Sequence, residues 1–287
     1  MTSATTANLG VTRCGAATFV WGSRTYIMGI LNLTPDSFSG DGIGATIDSA
    51  VAQAVQMVAD GADILDLGGE STRPGSAPVD VAEELRRVLA ALRAVRSAVS
   101  VPISIDTWKP AVAEAALDAG AGLINDQWGL LREPALARLA AQRGVAIALM
   151  HNLPGGATGQ PNAGGYPDGL LPGIIARLRV GCRVALDAGV PWEQIIVDPG
   201  IGFAKGLDQN IETLRRLDEL KVLGRPVLLG TSRKGFIGRV LDLPVDQRVE
   251  GTAATIAIGI AKGADMVRVH DVKAMARVAK MTDALVR

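Results

Sequence analysis

The sequence predicts a single α/β domain, a (β/α)8 TIM barrel with a short N-terminal β-hairpin. Three observations carry this. Eight short apolar runs, at residues 27–31, 63–67, 102–105, 122–125, 145–150, 194–197, 226–230 and 265–269, alternate with stretches of helical periodicity. Glycine stands just ahead of six of these runs, at Gly61, Gly120, Gly144, Gly189, Gly224 and Gly263, where its tolerance of the left-handed conformation stops a helix. A polar residue closes nearly every run, and in a parallel barrel that end is where ligands bind. A doubly wound open sheet is the alternative with the same alternation.

Composition agrees with one large core. Of 287 residues 48% are apolar and only 3% aromatic, with 34 glycines, so aliphatic side chains must fill the interior, as in parallel sheets covered by helices. The formal net charge is zero, which argues against nucleic acid or an anionic membrane as partner. Cys14 and Cys182 match no metal or redox spacing and read as free thiols of a reducing cytoplasm. No signal peptide is legible at the N-terminus, and the apolar stretch at 252–261 is too short to span a bilayer. Residues 1–16 read as a flexible tail and 17–287 as one barrel domain.

Taken in order, Thr18 to Tyr26 reads as a hairpin turning at Gly22-Ser23, placed to plug one end of the barrel. The first barrel strand ends at Asn32 and hands over to a long loop bearing Asp36 and Phe38. The second leads into Asp66-Leu-Gly-Gly-Glu-Ser-Thr-Arg-Pro-Gly75, where Gly68 and Gly69 allow close backbone approach to a ligand and Pro74 holds Arg73 extended. The third and sixth strands end in Asp106 and Asp198. A carboxylate accepts two parallel hydrogen bonds from a guanidine-like fork, such as the edge of a 2-amino-4-oxo pyrimidine. The competing reading of each is a helix N-cap. Asn125, at the end of the fourth strand, can meet donors or acceptors beside them. His151 opens a Gly/Pro-rich segment, 151–162, that reads as a spacer or lid. Lys234, after the seventh strand, is a Schiff-base lysine, a phosphate ligand or a donor to a ring carbonyl. On the eighth, strand alternation turns Arg268 and His270 to the same side. Closure of the barrel then predicts that Asn32, Arg268 and His270 converge on an anion such as a diphosphate, with Asn32 free to hold its Mg2+.

In this order the segments Met28–Gly42, Asp66–Gly75, Ser104–Thr107, Asn125-Asp126, Met150-His151, Asp198–Lys205, Ser232–Lys234 and Arg268–Val272 resemble those of dihydropteroate synthases. The resemblance runs from Ile27 to the C-terminus. It implies a homodimeric barrel that condenses 6-hydroxymethyl-7,8-dihydropterin diphosphate with 4-aminobenzoate and releases diphosphate, in folate synthesis. It assigns Asp106, Asn125, Asp198 and Lys234 to the pterin pocket, and Asn32, Arg268 and His270 to diphosphate and Mg2+. Thr72 matches a pterin-contacting position. Arg73, Pro74, Phe203 and Ser232 match the aminobenzoate site, and Asp36 and Phe38 the closing loop; Asp36, Arg73 and Lys234 are the catalytic candidates. Three segments depart from the family pattern: Ser39-Gly40-Asp41-Gly42, Gln127-Trp128 and Asn152–Asn162. Two other readings share the barrel, a non-catalytic pterin-binding paralogue and a corrinoid-linked methyltransferase using methylated tetrahydrofolate.

Overall fold

The computed structural model describes residues 9–33, 43–70, 78–153 and 165–287, with side chains in the first described helix from residue 47. Among these residues, eight parallel strands form the barrel: β3 (Tyr26–Asn32), β4 (Ile64–Gly68), β5 (Ile103–Asp106), β6 (Leu123–Asp126), β7 (Ala146–Met150), β8 (Ile195–Asp198), β9 (Leu228–Leu229) and β10 (Met266–Val269). Their order is β8-β7-β6-β5-β4-β3-β10-β9. A bridge between Val197 and Val227 joins the two ends, so the sheet is closed and the open doubly wound alternative falls.

Among the described residues nine helices surround it: α1 (Ile43–Ala59), α2 (Val81–Ala98), α3 (Pro110–Asp118), α4 (Ala135–Arg143), α5 (Leu170–Asp187), α6 (Leu207–Arg215), α7 (Gly235–Leu241), α8 (Val249–Ala261) and α9 (Val272–Val286). All six predicted stop glycines have positive φ. The helical periodicity between the sixth and seventh strands divides into α6 and a following 3-10 stretch at Leu217–Leu223. The short α7 was not foreseen: Gly235 and Gly238 depress helix propensity there.

Period-two alternation sorts the strand residues into two cores. Ile27, Leu65, Leu67, Ile103, Ile105, Ile124, Ile147, Leu149, Val197, Leu229 and Val267 face the helices. Met28, Ile64, Leu123, Ala146, Ala148, Ile196, Leu228 and Met266 fill the inside. Two residues further along each strand, the inward positions of β4, β5, β6, β8 and β10 become Asp66, Asp106, Asn125, Asp198 and Arg268. The barrel interior is therefore oily at its N-terminal end and charged at its C-terminal end.

The N-terminal hairpin exists but is shifted from its expected place. Its strands are β1 (Val11–Cys14) and β2 (Ala17–Val20), paired Cys14 to Ala17 around Gly15, which has φ +59. Residues 9–16 are thus no tail. The signal was weak because the inward residues of β1 are Thr12 and Cys14, not a hydrophobic pair. Phe19, Trp21 and Tyr26 pack edge-on or tilted, with centroids 4.8–5.6 Å apart, and join the inner core. Trp21 Nε1 donates to Thr12 Oγ1 at 2.8 Å, and that hydroxyl donates to the Glu193 carbonyl at 2.5 Å. Gln194 covers the open edge of β1: its side chain accepts from Arg13 N at 2.9 Å and donates to Arg13 O at 3.0 Å.

If the hairpin is a structural plug, Trp21→Ala should lower the stability of the whole barrel by about 3–5 kcal/mol. Urea unfolding followed by far-UV circular dichroism measures this. A loss below about 1 kcal/mol would mean that the hairpin lies outside the cooperative unit.

Candidate active site

The charged end of the barrel is built around Arg268. Its Nε donates to Asp66 Oδ2 at 2.6 Å and its Nη2 to Asp106 Oδ2 at 2.7 Å. Asn125 Nδ2 donates to the same Asp66 oxygen at 2.9 Å. Burial opposes the charge on Arg268, yet the pairing with Asp66 and Asp106 outweighs it and raises the guanidinium's pKa. For Asp106 the balance falls the other way. Burial pushes its carboxyl up to about 7, against the pull of Arg268 and with help from neighbouring acids. Asp106 is not a helix cap: α3 starts after Lys109 and has no side-chain cap.

Asp198 ends β8 and binds the Gly200 N–H at 2.6 Å through Oδ1; burial raises its pKa, opposed chiefly by Lys234. Gly200 has φ +66, and a methyl group there would overlap the His151 carbonyl, so this turn requires glycine. Lys234 reaches back over the turn. Its ammonium donates to the Ile201 carbonyl and lies 4.4 Å from the Phe203 ring centroid. Burial lowers its pKa to about 8, with Asp198 resisting. Asp106, Asn125, Asp198 and Lys234 thus stand at one end of the barrel interior.

The expected meeting of Asn32, Arg268 and His270 is corrected. Parallel strands of a barrel are staggered, and the register sets Arg268 beside Met28, not Asn32. The Arg268 fork turns to the floor acids. His270 instead shares a 2.9 Å hydrogen bond between its Nδ1 and Ser232 Oγ, which also accepts from the His270 N–H at 3.1 Å. Asn32 is the half-buried last residue of β3, beside Gly68. Nor does Arg268 pair with Asp271; Arg233 does, at 2.9 and 2.5 Å. Arg233 has φ +56. Its N–H donates to Thr252 at 3.1 Å and its carbonyl accepts from Arg248 at 3.0 Å, so α8 and its preceding turn fix the corner carrying Ser232 and Lys234. Asp36, Phe38, Thr72, Arg73 and Pro74 lie outside the described residues.

Sequence reasoning gave no role to three groups. Asp66 is fully buried; its inward position between Ile64 and Gly68 was the available signal. Lys205, also fully buried, donates to His151 Nδ1 at 3.0 Å, to the Gly200 carbonyl at 2.9 Å and to the Phe203 carbonyl at 3.2 Å. It ties the Asp198–Phe203 turn to β7, and burial lowers its pKa to about 7. Lys109 joins Glu70 at 2.8 Å and the buried Glu84 at 2.5 Å, pinning the end of β4 to α2 and α3. Trp128, one of the departures from the family pattern, flanks the Arg132 guanidinium at 4.9 Å, with Trp108 at 3.8 Å.

A model of pterin-binding enzymes matches residues 28–270. The chain is 50% identical over 262 residues to the dihydropteroate synthase of Bacillus subtilis, covering 91% of this chain and 89% of the relative. The chain belongs to the dihydropteroate synthase family. Solved members of the family carry the same fold. A Clostridium difficile dihydropteroate synthase determined with pteroic acid superposes with a TM-score of 0.89 at 48% identity, covering 94% of this chain and 99% of that one. A Xanthomonas albilineans dihydropteroate synthase determined with 4-aminobenzoic acid gives 0.87 at 37% identity, covering 96% and 97%.

The buried His151 yields a pH prediction. Burial, then the charges of Lys205 and Arg177, lower its pKa from 6.5 to about 2. The folded state therefore binds fewer protons than the unfolded one between those values, and the stability this group contributes is present above pH 6.5 and lost as pH falls toward 2. Between pH 6.5 and 4.5 the wild type should lose about 1–3 kcal/mol more than His151→Gln, at 1.36 kcal/mol per pH unit for a full proton. Urea midpoints at the two pH values test this; identical losses would mean that His151 titrates normally.

Proposed function

We propose that this barrel condenses 6-hydroxymethyl-7,8-dihydropterin diphosphate with 4-aminobenzoate to give 7,8-dihydropteroate and diphosphate. The observation that carries the reading is the floor of Asp106, Asn125 and Asp198 beside Lys234: acceptors for an amino-pyrimidine edge with one cationic donor for its carbonyl. Membership of the family supplies the reaction, and the solved members determined with pteroic acid and with 4-aminobenzoic acid support both halves of the product. The same membership favours the synthase over a methyltransferase or a silent paralogue.

In this reading the pterin ring lies on the floor and its hydroxymethyl arm points to the barrel mouth. Arg268 is paired with Asp106, so a ring that bonds to this carboxylate would displace the guanidinium. A freed fork would bind phosphate oxygens bidentately; Asn32 and His270, which do not meet Arg268 in this structure, would approach the diphosphate from their own strand ends. Diphosphate leaves with the C–O bonding pair, and the dihydropterin carries the resulting methylene cation. The amine of aminobenzoate attacks that carbon, forms the C–N bond and loses a proton. No protein nucleophile takes part. Thr72 would contact the pterin, Arg73, Pro74, Phe203 and Ser232 would receive aminobenzoate, and Asp36 and Phe38 would exclude water from the cation.

Mg2+ fits the donors at hand. Asn32 offers one neutral amide oxygen, and no group of three or more His, Cys, Asp or Glu able to hold a metal exists among the described residues. An ion that keeps several waters and binds mainly through substrate phosphates needs no more. When bound it would neutralise charge on the leaving diphosphate. We further place the protein in the cytoplasm as a homodimer. No described helix is long and apolar enough to cross a membrane. Exposed Val240 and Leu241 on α7 and Ile258 on α8 offer an apolar face to a second copy.

Purified protein given the dihydropterin diphosphate, 4-aminobenzoate and Mg2+ should release diphosphate and form dihydropteroate in equal amounts. Diphosphate release that is slow and indifferent to aminobenzoate would overturn the reading. Within it, Lys234→Ala removes a charged hydrogen bond of about 1.5–3 kcal/mol. Pterin affinity should fall roughly ten- to a hundred-fold with the fold intact, as read by calorimetry. Unchanged affinity would free Lys234 from that role.

A further inference from the structure

Asp66 lies beneath the floor rather than on it, and its contacts constrain what the floor can bind. It is fully buried, with both bonded donors on one oxygen: Asn125 Nδ2 at 2.9 Å and Arg268 Nε at 2.6 Å. Its other oxygen, Oδ1, is buried with no hydrogen-bond partner. A carboxylate paired with arginine only accepts. The Asn125 amide must therefore turn its NH2 toward Asp66, because the reverse would set oxygen against oxygen. A free asparagine has no such preference; its two ends differ in chemistry but hardly in shape.

We propose that Asp66 is a specificity-determining positioning residue: by capturing the Asn125 NH2 it leaves the Asn125 carbonyl oxygen as the group offered to the ligand. The floor then consists of acceptors throughout, at Asn125, Asp106 and Asp198, and selects a ring edge rich in N–H donors. A 2-amino-4-oxo ring meets it. A 2,4-dioxo ring, which carries a carbonyl where the pterin carries its amino group, sets acceptor against acceptor. This deepens the pterin reading above and rests on it.

The test compares binding of 6-hydroxymethylpterin and 6-hydroxymethyllumazine, which differ in that 2-substituent and in the proton that lumazine then carries on N1, by calorimetry on the intact protein. Wild type should prefer the pterin by roughly a hundred-fold or more, the discrimination expected when buried polar groups are left facing the wrong partner. In Asp66→Ala a water can enter, and water both donates and accepts, so the Asn125 amide is no longer held. The preference should narrow by about ten-fold or more. Asp66→Asn should restore it, because Arg268 still demands an oxygen and turns the new amide's carbonyl toward both donors. A purely structural role would weaken both ligands in parallel and leave their ratio unchanged, which overturns the proposal. So would loss of the preference in Asp66→Asn as large as in Asp66→Ala. Should Asp66→Ala fail to fold, Asp66→Ser, whose hydroxyl also donates and accepts, replaces it with the same expected outcome. Equal affinity of wild type for the two rings overturns the proposal without any variant. If wild type binds neither ring, it is the pterin reading that fails.

Discussion

A half-buried arginine held between two carboxylates is the constraint on which the charged end of this barrel depends. Placing one charge in a protein interior costs several kcal/mol even after relaxation. Here three acids, Asp66, Asp106 and Asp198, face two cations, Arg268 and Lys234. Each makes the others tolerable, and none is fully neutralised. The imbalance is visible in the direction of the shifts: Asp106 is pushed toward neutrality while Arg268 is driven further from it. A ligand presenting N–H groups would relieve the same imbalance that the pairing with Arg268 relieves in part. Preorganisation and ligand affinity therefore share one electrostatic origin.

The scaffold makes this possible by separating its chemistry along the strand direction. One layer of inward side chains is aliphatic, and the next, two residues on, is polar. No side chain has to serve both packing and binding. Behind the polar layer stand supports that touch no candidate ligand group directly, Lys205 under the Asp198 turn and Lys109 under Glu70. Both are lysines with their ammonium groups held by several oxygens or a ring nitrogen, and both join segments that arrive from different helices.

Much of this was legible from residue order. Eight apolar runs and their stop glycines gave the barrel because each signal is local. Asp106, Asn125 and Asp198 were legible because a polar residue ending a buried run has few other reasons to be there. Asp66 was not, because it sits inside the run Ile64–Gly68 and a loop motif follows it closely. The convergence of Asn32 with Arg268 failed for a different reason: the stagger between β3 and β10 is a property of the closed sheet, set by all eight strands together. The hairpin was misplaced because Thr12 is buried for its hydroxyl, which bridges Trp21 and the Glu193 carbonyl, and no hydrophobic pattern announces such a residue. Lys205 was hidden likewise, since a lysine is ordinarily a surface residue.

The plug at the N-terminal end bears on how the chain is made. The hairpin, which precedes every barrel strand in the chain, packs against Glu193 and Gln194 and against strands as late as β10, and Thr25 is held by Asp283 at 2.7 and 2.8 Å. At about 5–20 residues per second, these partners appear many seconds after the hairpin itself. Throughout that interval Phe19, Trp21 and Tyr26 have no interior to enter. Contacts of such long sequence separation slow folding, and an uncovered aromatic cluster invites association with other chains. The hairpin is made before every barrel strand it will cover, so it must be shielded longest, and the nascent chain rather than the finished barrel is the form that most needs that shielding.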